Sequence, residues 1–157
     1  MNRNAIGWVW VCGQAILLGA IILLPGNDDW PTPQWVTVLA SILFFGGLAL
    51  IAVASLGLGS ALTPTPVPTH SAKLSTRGLY QWVRHPIYTG VLAVVAGMTL
   101  RSASVTHLAL AVVTGVFFDR KAAWEERQLH DRYADYASYA SNTPKFLPIP
   151  GKRSTAA

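Results

Sequence analysis

The sequence has little cysteine and little charge, and both shortages exclude classes of protein. Cys12 is the single cysteine in 157 residues, so neither a disulfide framework nor a cysteine-based zinc site is available. Only 12% of the residues are charged, whereas a soluble domain usually carries about 25%. Because 52% of the residues are hydrophobic, the composition predicts an integral membrane protein.

Three functional patterns are also missing. No glycine-rich G-x-G fingerprint is present, which argues against a soluble nucleotide-binding domain of the Rossmann type. The spacing of His70, His107 and His130 suggests no metal site, so we expect no bound metal. The basic residues are spread along the chain beside apolar segments, and we therefore expect no nucleic-acid partner.

Four apolar runs are present, at 5–24, 35–58, 86 to about 100, and about 105 to 118. The first two reach the ~20 residues that a spanning helix needs. The last two are shorter, and we expect them to form a helical hairpin over 86–118. A signal peptide is the alternative for the first run, but that run exceeds the usual ~7–15 apolar residues and no convincing cleavage site follows it. The predicted fold class is an all-α integral membrane protein with four transmembrane helices.

Charge placement predicts the orientation of these helices. Asp28 and Asp29 lie between the first two runs, where no basic residue is found. Lysine and arginine concentrate in the segment 59–85 and after residue 118. By the positive-inside rule, both termini and the 59–85 loop are cytoplasmic, and we predict the bacterial inner membrane as the location.

The pattern becomes amphipathic after the fourth run. It predicts a C-terminal cytoplasmic helix over 119–142, and the prolines in 143–157 indicate a non-helical tail. Pro86 suits the first position of a helix, because the N–H that it lacks would have no partner there. The third span should therefore begin at the cytoplasmic surface with free backbone donors.

Two polar clusters flank the predicted hairpin. They are Tyr80, Arg84, His85 and Tyr88 before it, and Lys121, Glu125 and Glu126 after it. Because an antiparallel hairpin brings its two ends together, both clusters should meet at one cytoplasmic patch. Lys121 and Glu125 are four residues apart and share a helix face. Cations, acids, aromatic rings and helix N-terminal donors around one point suit a zwitterionic cofactor with an aromatic ring.

The order of these motifs resembles the isoprenylcysteine carboxyl methyltransferase family and its phospholipid methyltransferase relatives. The resemblance covers about half of the chain, roughly residues 72 to 150. It consists of Leu74, Gly-x-Tyr at 78–80, Arg-His-Pro-x-Tyr-x-Gly at 84–90, Glu-Glu-x-x-Leu at 125–129, Tyr-x-x-Tyr at 136–139 and Pro-x-x-Leu-Pro at 144–148.

The resemblance implies S-adenosylmethionine as the cofactor, with the 59–85 loop forming part of its site. The residues that it places on the cofactor are Ala72, Lys73, Leu74, Ser75, Tyr80, His85, Pro86, Ile87, Tyr88 and Glu125. The family's substrate-orienting arginine falls on Lys121, with Arg120 as the neighbouring alternative. A carboxylate acceptor needs no base, whereas an amine or thiol would need one, and His85 or Glu126 is the nearest.

The function implied is methyl transfer to an acceptor that partitions into the membrane, such as an isoprenylcysteine-like carboxylate. A phospholipid amine and a small lipophilic thiol or acid are the alternatives within the family. A small membrane transporter or assembly partner is the alternative outside it. The first three apolar runs contain no acid, which disfavours an ion-coupled transporter.

Overall fold

The computed structural model describes residues 2–59, 74–150 and 152, and all regular structure in these segments is helical. The elements are α1 (Arg3–Leu23), α2 (Gln34–Leu58), a 3-10 turn (Gly78–Gln81), α3 (Pro86–Ser102), α4 (Val105–Arg132) and α5 (Tyr136–Asn142). The predicted apolar runs at 5–24 and 35–58 thus correspond to α1 and α2, and the expected hairpin is formed by α3 and α4.

The first two helices have the character of membrane segments. Within the described part of the chain, α1 and α2 are the two helices long and apolar enough to cross a bilayer. Large apolar side chains such as Ile16, Leu23 and Leu56 are exposed on them. These surfaces are suited to contact with lipid rather than water, which agrees with the predicted membrane character.

The closest packing in the described bundle is between α2 and α3, and glycines make it possible. A Cβ atom added at Gly47 would lie 2.6 Å from the carbonyl oxygen of Gly90. A Cβ atom added at Gly97 would lie 2.6 Å from the carbonyl oxygen of Ala40. Small residues at these positions let the two backbones touch, as expected for helix pairs in lipid.

The α3–α4 turn is fixed to the loop that joins α1 and α2. Asp29 donates its backbone N–H to the carbonyl of Ala103 (2.7 Å), and its carboxylate accepts from the N–H of Val105 (2.8 Å). Asp29 therefore caps the start of α4. Ala103 has a φ of 44°, the left-handed conformation that reverses the chain within two residues.

The single helix predicted over 119–142 is divided in the structure. α4 ends at Arg132, Tyr133 has an extended backbone, and α5 starts at Tyr136. The break lets Tyr136 and Tyr139 become buried, and the Tyr139 hydroxyl donates to the carbonyl of Tyr80. A straight helix would have left these side chains unpacked, so burial outweighs the helical pattern.

The chain after α5 returns to the start of α3. We call residues 143–146 the strap. The N–H groups of Arg84 and His85 donate to the carbonyls of Pro144 (2.9 Å) and Lys145 (3.1 Å), and Thr89 Oγ1 donates to that of Phe146 (2.7 Å). The start of α3 was predicted to have free backbone donors, but the N–H of His85, directly before that helix, is already used by the strap.

Candidate functional site

The N-terminal end of α3 and the second half of α4 meet, as the hairpin argument predicts. Tyr88 donates its hydroxyl to Glu125 Oε2 at 2.8 Å. His85 Nε2 lies 3.0 Å from Glu126 Oε1, and His85 Nδ1 lies 3.8 Å from Glu125 Oε2. Residues about forty positions apart thus form one polar cluster, which we call the hairpin cluster.

Aromatic rings form one wall of the hairpin cluster. The rings of His85 and Tyr88 are parallel, with centroids 5.2 Å apart. Phe118 packs against Tyr88 at 5.1 Å, and Phe146 from the strap lies 6.0 Å from His85. Pro86 starts α3 and is buried, so the helix begins where the sequence predicts. This wall offers flat faces to an aromatic or cationic ligand.

Arg84 joins three elements around the cluster. Its Nε lies 3.0 Å from Glu126 Oε1, and its Nη1 donates to the carbonyl of Ala140 in α5 at 2.7 Å. Partial burial of Glu126 opposes ionisation. The hydrogen bond from His85 and the charges of His85 and Arg84 outweigh it and hold the pKa of Glu126 below its ordinary value. Glu126 therefore serves as an ionised anchor in this arrangement.

Glu125 is more accessible than Glu126. Its side chain is 25% exposed, and it accepts the short hydrogen bond from Tyr88. A carboxylate has about four acceptor positions, so Glu125 retains capacity for hydroxyl or ammonium groups of a ligand. Of the two acids, it is the one better placed to contact a small molecule.

Lys121 lies one turn before Glu125 and is only 4% exposed. Its Nζ donates to Gln14 Oε1 of α1 and lies 5.1 Å from the centroid of the Tyr88 ring. Burial lowers the pKa of Lys121, and the charge of Glu125 partly opposes this effect. Arg120, the alternative in the sequence, is exposed, because one residue rotates the side chain by about 100° around the helix.

The remaining residues assigned to the cofactor lie at different distances from the cluster. Tyr80, in the 3-10 turn, donates to the carbonyl of Ala54 at 3.4 Å, and burial raises the pKa of its phenol well above the ordinary value. Ile87 is half-buried beside Pro86, and Leu74 and Ser75 are half-buried before the 3-10 turn. Ala72 and Lys73 lie outside the described residues.

Two participants were not assigned to the site from the sequence. Gln14 is the single polar residue of the 5–24 run, and this isolation was the available signal. Tyr139 belongs to the Tyr-x-x-Tyr motif at 136–139, and its hydroxyl donates to the backbone carbonyl of Tyr80. Its motif position gave no indication of that partner.

The family model of phospholipid methyltransferases matches residues 35–136, which includes α2, α3, α4 and the whole hairpin cluster. The chain belongs to the phospholipid methyltransferase family. The resemblance read from the motifs is thereby confirmed.

Two relatives of similar identity have different kinds of name, a metal resistance protein and a methyltransferase. The chain is 28% identical over 150 residues to the nickel-cobalt-cadmium resistance protein NccN of Alcaligenes xylosoxydans xylosoxydans, covering 94% of this chain and 66% of the relative. It is 31% identical over 137 residues to protein-S-isoprenylcysteine O-methyltransferase A of Arabidopsis thaliana, covering 84% of this chain and 68% of the relative. Among the described residues, no group of three or more His, Cys, Asp or Glu side chains is arranged to hold a metal.

The fold matches that of a solved membrane protein. A eukaryotic intramembrane Ras methyltransferase, the isoprenylcysteine carboxyl methyltransferase, aligns with a TM-score of 0.67 at 19% identity. The alignment covers 97% of this chain and 53% of the other. The chain therefore has the helical fold of this solved protein and spans about half its length.

Proposed function

We propose that this member of the phospholipid methyltransferase family transfers a methyl group from S-adenosylmethionine to an acceptor that partitions into the membrane. The observation that carries the proposal is the hairpin cluster. It joins Tyr88 to Glu125 and His85 to Glu126 at the positions where the family motifs fall. A merely structural hairpin does not require two acids and a histidine at its open end.

The residues of the cluster fit the chemistry of the cofactor. When bound, S-adenosylmethionine supplies a methyl group attached to a positively charged sulfur. The parallel faces of His85 and Tyr88 can stack on an adenine or lie beside a cation. Glu125 keeps free acceptor positions for ribose hydroxyls or for an ammonium group. We assign Leu74, Ser75, Tyr80, Pro86 and Ile87 to this site as well, and the resemblance adds Ala72 and Lys73, which lie outside the described residues.

The acceptor that we favour is a carboxylate on a lipophilic molecule. Lys121 is a buried cation next to Tyr88, so it could hold an acidic group beside the cofactor site. An ionised carboxylate is already nucleophilic and requires no base. Most of the rate gain would come from holding the two reactants in line.

A phospholipid amine is the second candidate, supported by the description of the matching family. An ammonium acceptor would have to lose a proton before reacting. Of the two candidate bases, His85 is favoured, because Glu126 is paired with Arg84 and its lowered pKa makes it a weaker base. A lipophilic thiol would make the same demand.

We place the site at the cytoplasmic surface of a bacterial inner membrane. The α3–α4 hairpin would supply a third and a fourth span in addition to α1 and α2. Lysines and arginines concentrate at the same end as the hairpin cluster, whereas Asp28 and Asp29 lie at the opposite end. A reporter fused after Asn27 should score external and one fused at the C-terminus should score cytoplasmic.

The decisive experiment is a binding titration of the purified protein with S-adenosylhomocysteine, followed by an assay of methyl transfer to acidic, amine and thiol acceptors. Saturable binding with an increase in Tm is the expected result, because a ligand of the native state must stabilise it. An absence of saturable binding up to about millimolar concentration, where the binding free energy is only about −4 kcal/mol, would overturn the proposal.

A further inference from the structure

A line of buried polar side chains runs along α4 with the spacing of two helical turns. It consists of His107, Thr114, Lys121 and Gln128, all of which are buried. Polar groups are costly inside a membrane protein, and they face the interior of the bundle or a functional site. The α1 side of this line supplies two partners. Gln14 accepts from Lys121, and the carbonyl of Ile21 contacts His107 Nε2 at 3.2 Å.

The line is incompletely satisfied along α4. His107 Nδ1, Thr114 Oγ1 and Gln128 Oε1 are buried without a hydrogen-bond partner among the described residues, and so is Trp10 Nε1, one turn from Gln14 on α1. Buried polar atoms in native proteins are usually paired, so unpaired ones suggest a missing ligand or water. All four lie on the two helices that carry the Gln14–Lys121 contact.

Among the described residues, Lys121 forms no direct ion pair. No carboxylate oxygen of the described residues comes within 4.0 Å of its Nζ, because Glu125 is turned towards Tyr88 and His85. Its oxygen partner is the neutral amide of Gln14. A buried cation paired only with an amide is less well compensated than one paired with a carboxylate, since charge-assisted hydrogen bonds are roughly twice as strong as neutral ones.

We propose that the amide oxygen of Gln14 occupies the place of the acceptor's carboxylate on Lys121, and that this contact makes the site selective for acidic acceptors. The inference rests on the proposed function, including its carboxylate acceptor, and adds a specificity-determining residue outside the matched family segment. A carboxylate can displace Gln14, because it replaces a neutral hydrogen bond to Lys121 with a charge-assisted one. A neutral amide, an amine or a thiol cannot, because displacement would leave Lys121 less well paired.

Substitutions at Gln14 should change acceptor affinity in opposite directions. Gln14→Glu puts a permanent carboxylate on Lys121, so KM for N-acetyl-S-farnesylcysteine should rise roughly tenfold or more. Gln14→Met keeps the length of the side chain but removes the oxygen, so the same KM should fall while Tm decreases. The primary amide of this acid should be only a weak competitor of the acid in wild-type protein. Its inhibition constant should change little with either substitution.

The matched control is Gln34→Glu, the same change at an exposed position at the start of α2. It should leave KM and the affinity for S-adenosylhomocysteine unchanged. If Gln14 has only a structural role, both Gln14 variants will raise KM for the acid, or the affinities for acid and amide will change by the same factor. Either result overturns the inference.

Binding of the acid is also measured without cofactor, so that two failures can be told apart. Wild-type protein that binds S-adenosylhomocysteine but not the acid would preserve the proposed function and overturn the role of Gln14. Wild-type protein that does not bind S-adenosylhomocysteine would overturn the proposed function. In that case, opposite shifts of acid affinity in the two Gln14 variants would still show whether Gln14 competes with a carboxylate for Lys121.

Discussion

The α2–α3 pair and the α1–α4 pair are held together by different chemistry. Backbones touch between α2 and α3, where Gly47 and Gly90 leave no room for a Cβ atom. Contacts between α1 and α4 are fewer and include Lys121–Gln14 and His107–Ile21. Tight apolar packing gives a rigid support, whereas a sparse polar interface can exchange its partners. We therefore propose two halves of the site: a fixed cofactor half, formed by Tyr88 and His85 at the start of α3 with their partners Glu125 and Glu126 on α4, and an adjustable acceptor half, formed by Lys121 on α4 and Gln14 on α1.

The largest effect is expected from filling the α2–α3 contact. In Gly90→Val, the Cβ atom would meet the Gly47 carbonyl at 2.8 Å, and a helix backbone cannot retreat as a flexible side chain can. Overpacking typically costs ~1–3 kcal/mol, and we expect the upper end or loss of folded protein. Tm and the yield of monodisperse protein in detergent measure the effect.

The control for this prediction is Gly19→Val in α1, where nothing lies within 4 Å of an added Cβ atom. It should leave Tm nearly unchanged. Equal damage from both substitutions would show that the two helix pairs do not differ in tightness, and the comparison would fail.

The second prediction separates the cofactor half from the acceptor half. Glu125→Gln should weaken S-adenosylhomocysteine binding roughly tenfold or more, because a charge-assisted hydrogen bond contributes ~1.5–3 kcal/mol. Lys121→Ala should leave that affinity nearly unchanged and lower turnover with an acidic acceptor. Calorimetric titration with S-adenosylhomocysteine measures the affinity of both variants, and an assay of methyl transfer measures their turnover. If Lys121→Ala impairs cofactor binding as much as Glu125→Gln does, the proposed division between the halves is wrong.

Much of the fold could be predicted because it depends on local pattern. The apolar runs at 5–24 and 35–58 agree with α1 and α2 to within about two residues, the usual uncertainty of helix ends. Pro86 marks the start of α3 for a local steric reason. The helix predicted over 119–142 was wrong at its centre, because burial of Tyr136 and Tyr139 depends on a surface formed by distant residues.

In the candidate site, too, contacts within one hairpin could be predicted from the sequence, whereas a contact between distant helices could not. The pairing of His85 and Tyr88 with the acids of α4 follows from the closure of one hairpin. The contact between Lys121 and Gln14 spans 107 positions and depends on how α1 is rotated against α4. An almost uniformly apolar helix carries little information about that rotation, so the sequence could mark Gln14 as unusual without giving its partner.

The third prediction concerns pH and the ionised anchor of the cofactor half. Glu126 has a lowered pKa in the folded protein, so its stabilising contribution is present above its ordinary unfolded pKa of about 4.5. That contribution is lost as pH falls through the folded value. Glu126→Gln should therefore lower Tm at pH 7 and make Tm less dependent on pH below about 4.5. Unchanged acid sensitivity in the variant would assign the effect to other carboxyl groups.

The smallest expected effect comes from restoring the arginine that the family resemblance places at residue 121. Lys121→Arg keeps the charge and offers a planar group that can bind a carboxylate through two hydrogen bonds. The gain in kcat/KM with an acidic acceptor should be modest, at most about tenfold or ~1.4 kcal/mol, because Gln14 still competes for the cation. Turnover with an amine acceptor should not increase, since an amine offers no pair of oxygens. The ratio of the two kcat/KM values is therefore the informative quantity, and it is insensitive to differences in protein yield. An equal rise in kcat/KM for both acceptors would mean that residue 121 acts on the cofactor and not on the acceptor. The acceptor would then have to contact other residues along α1.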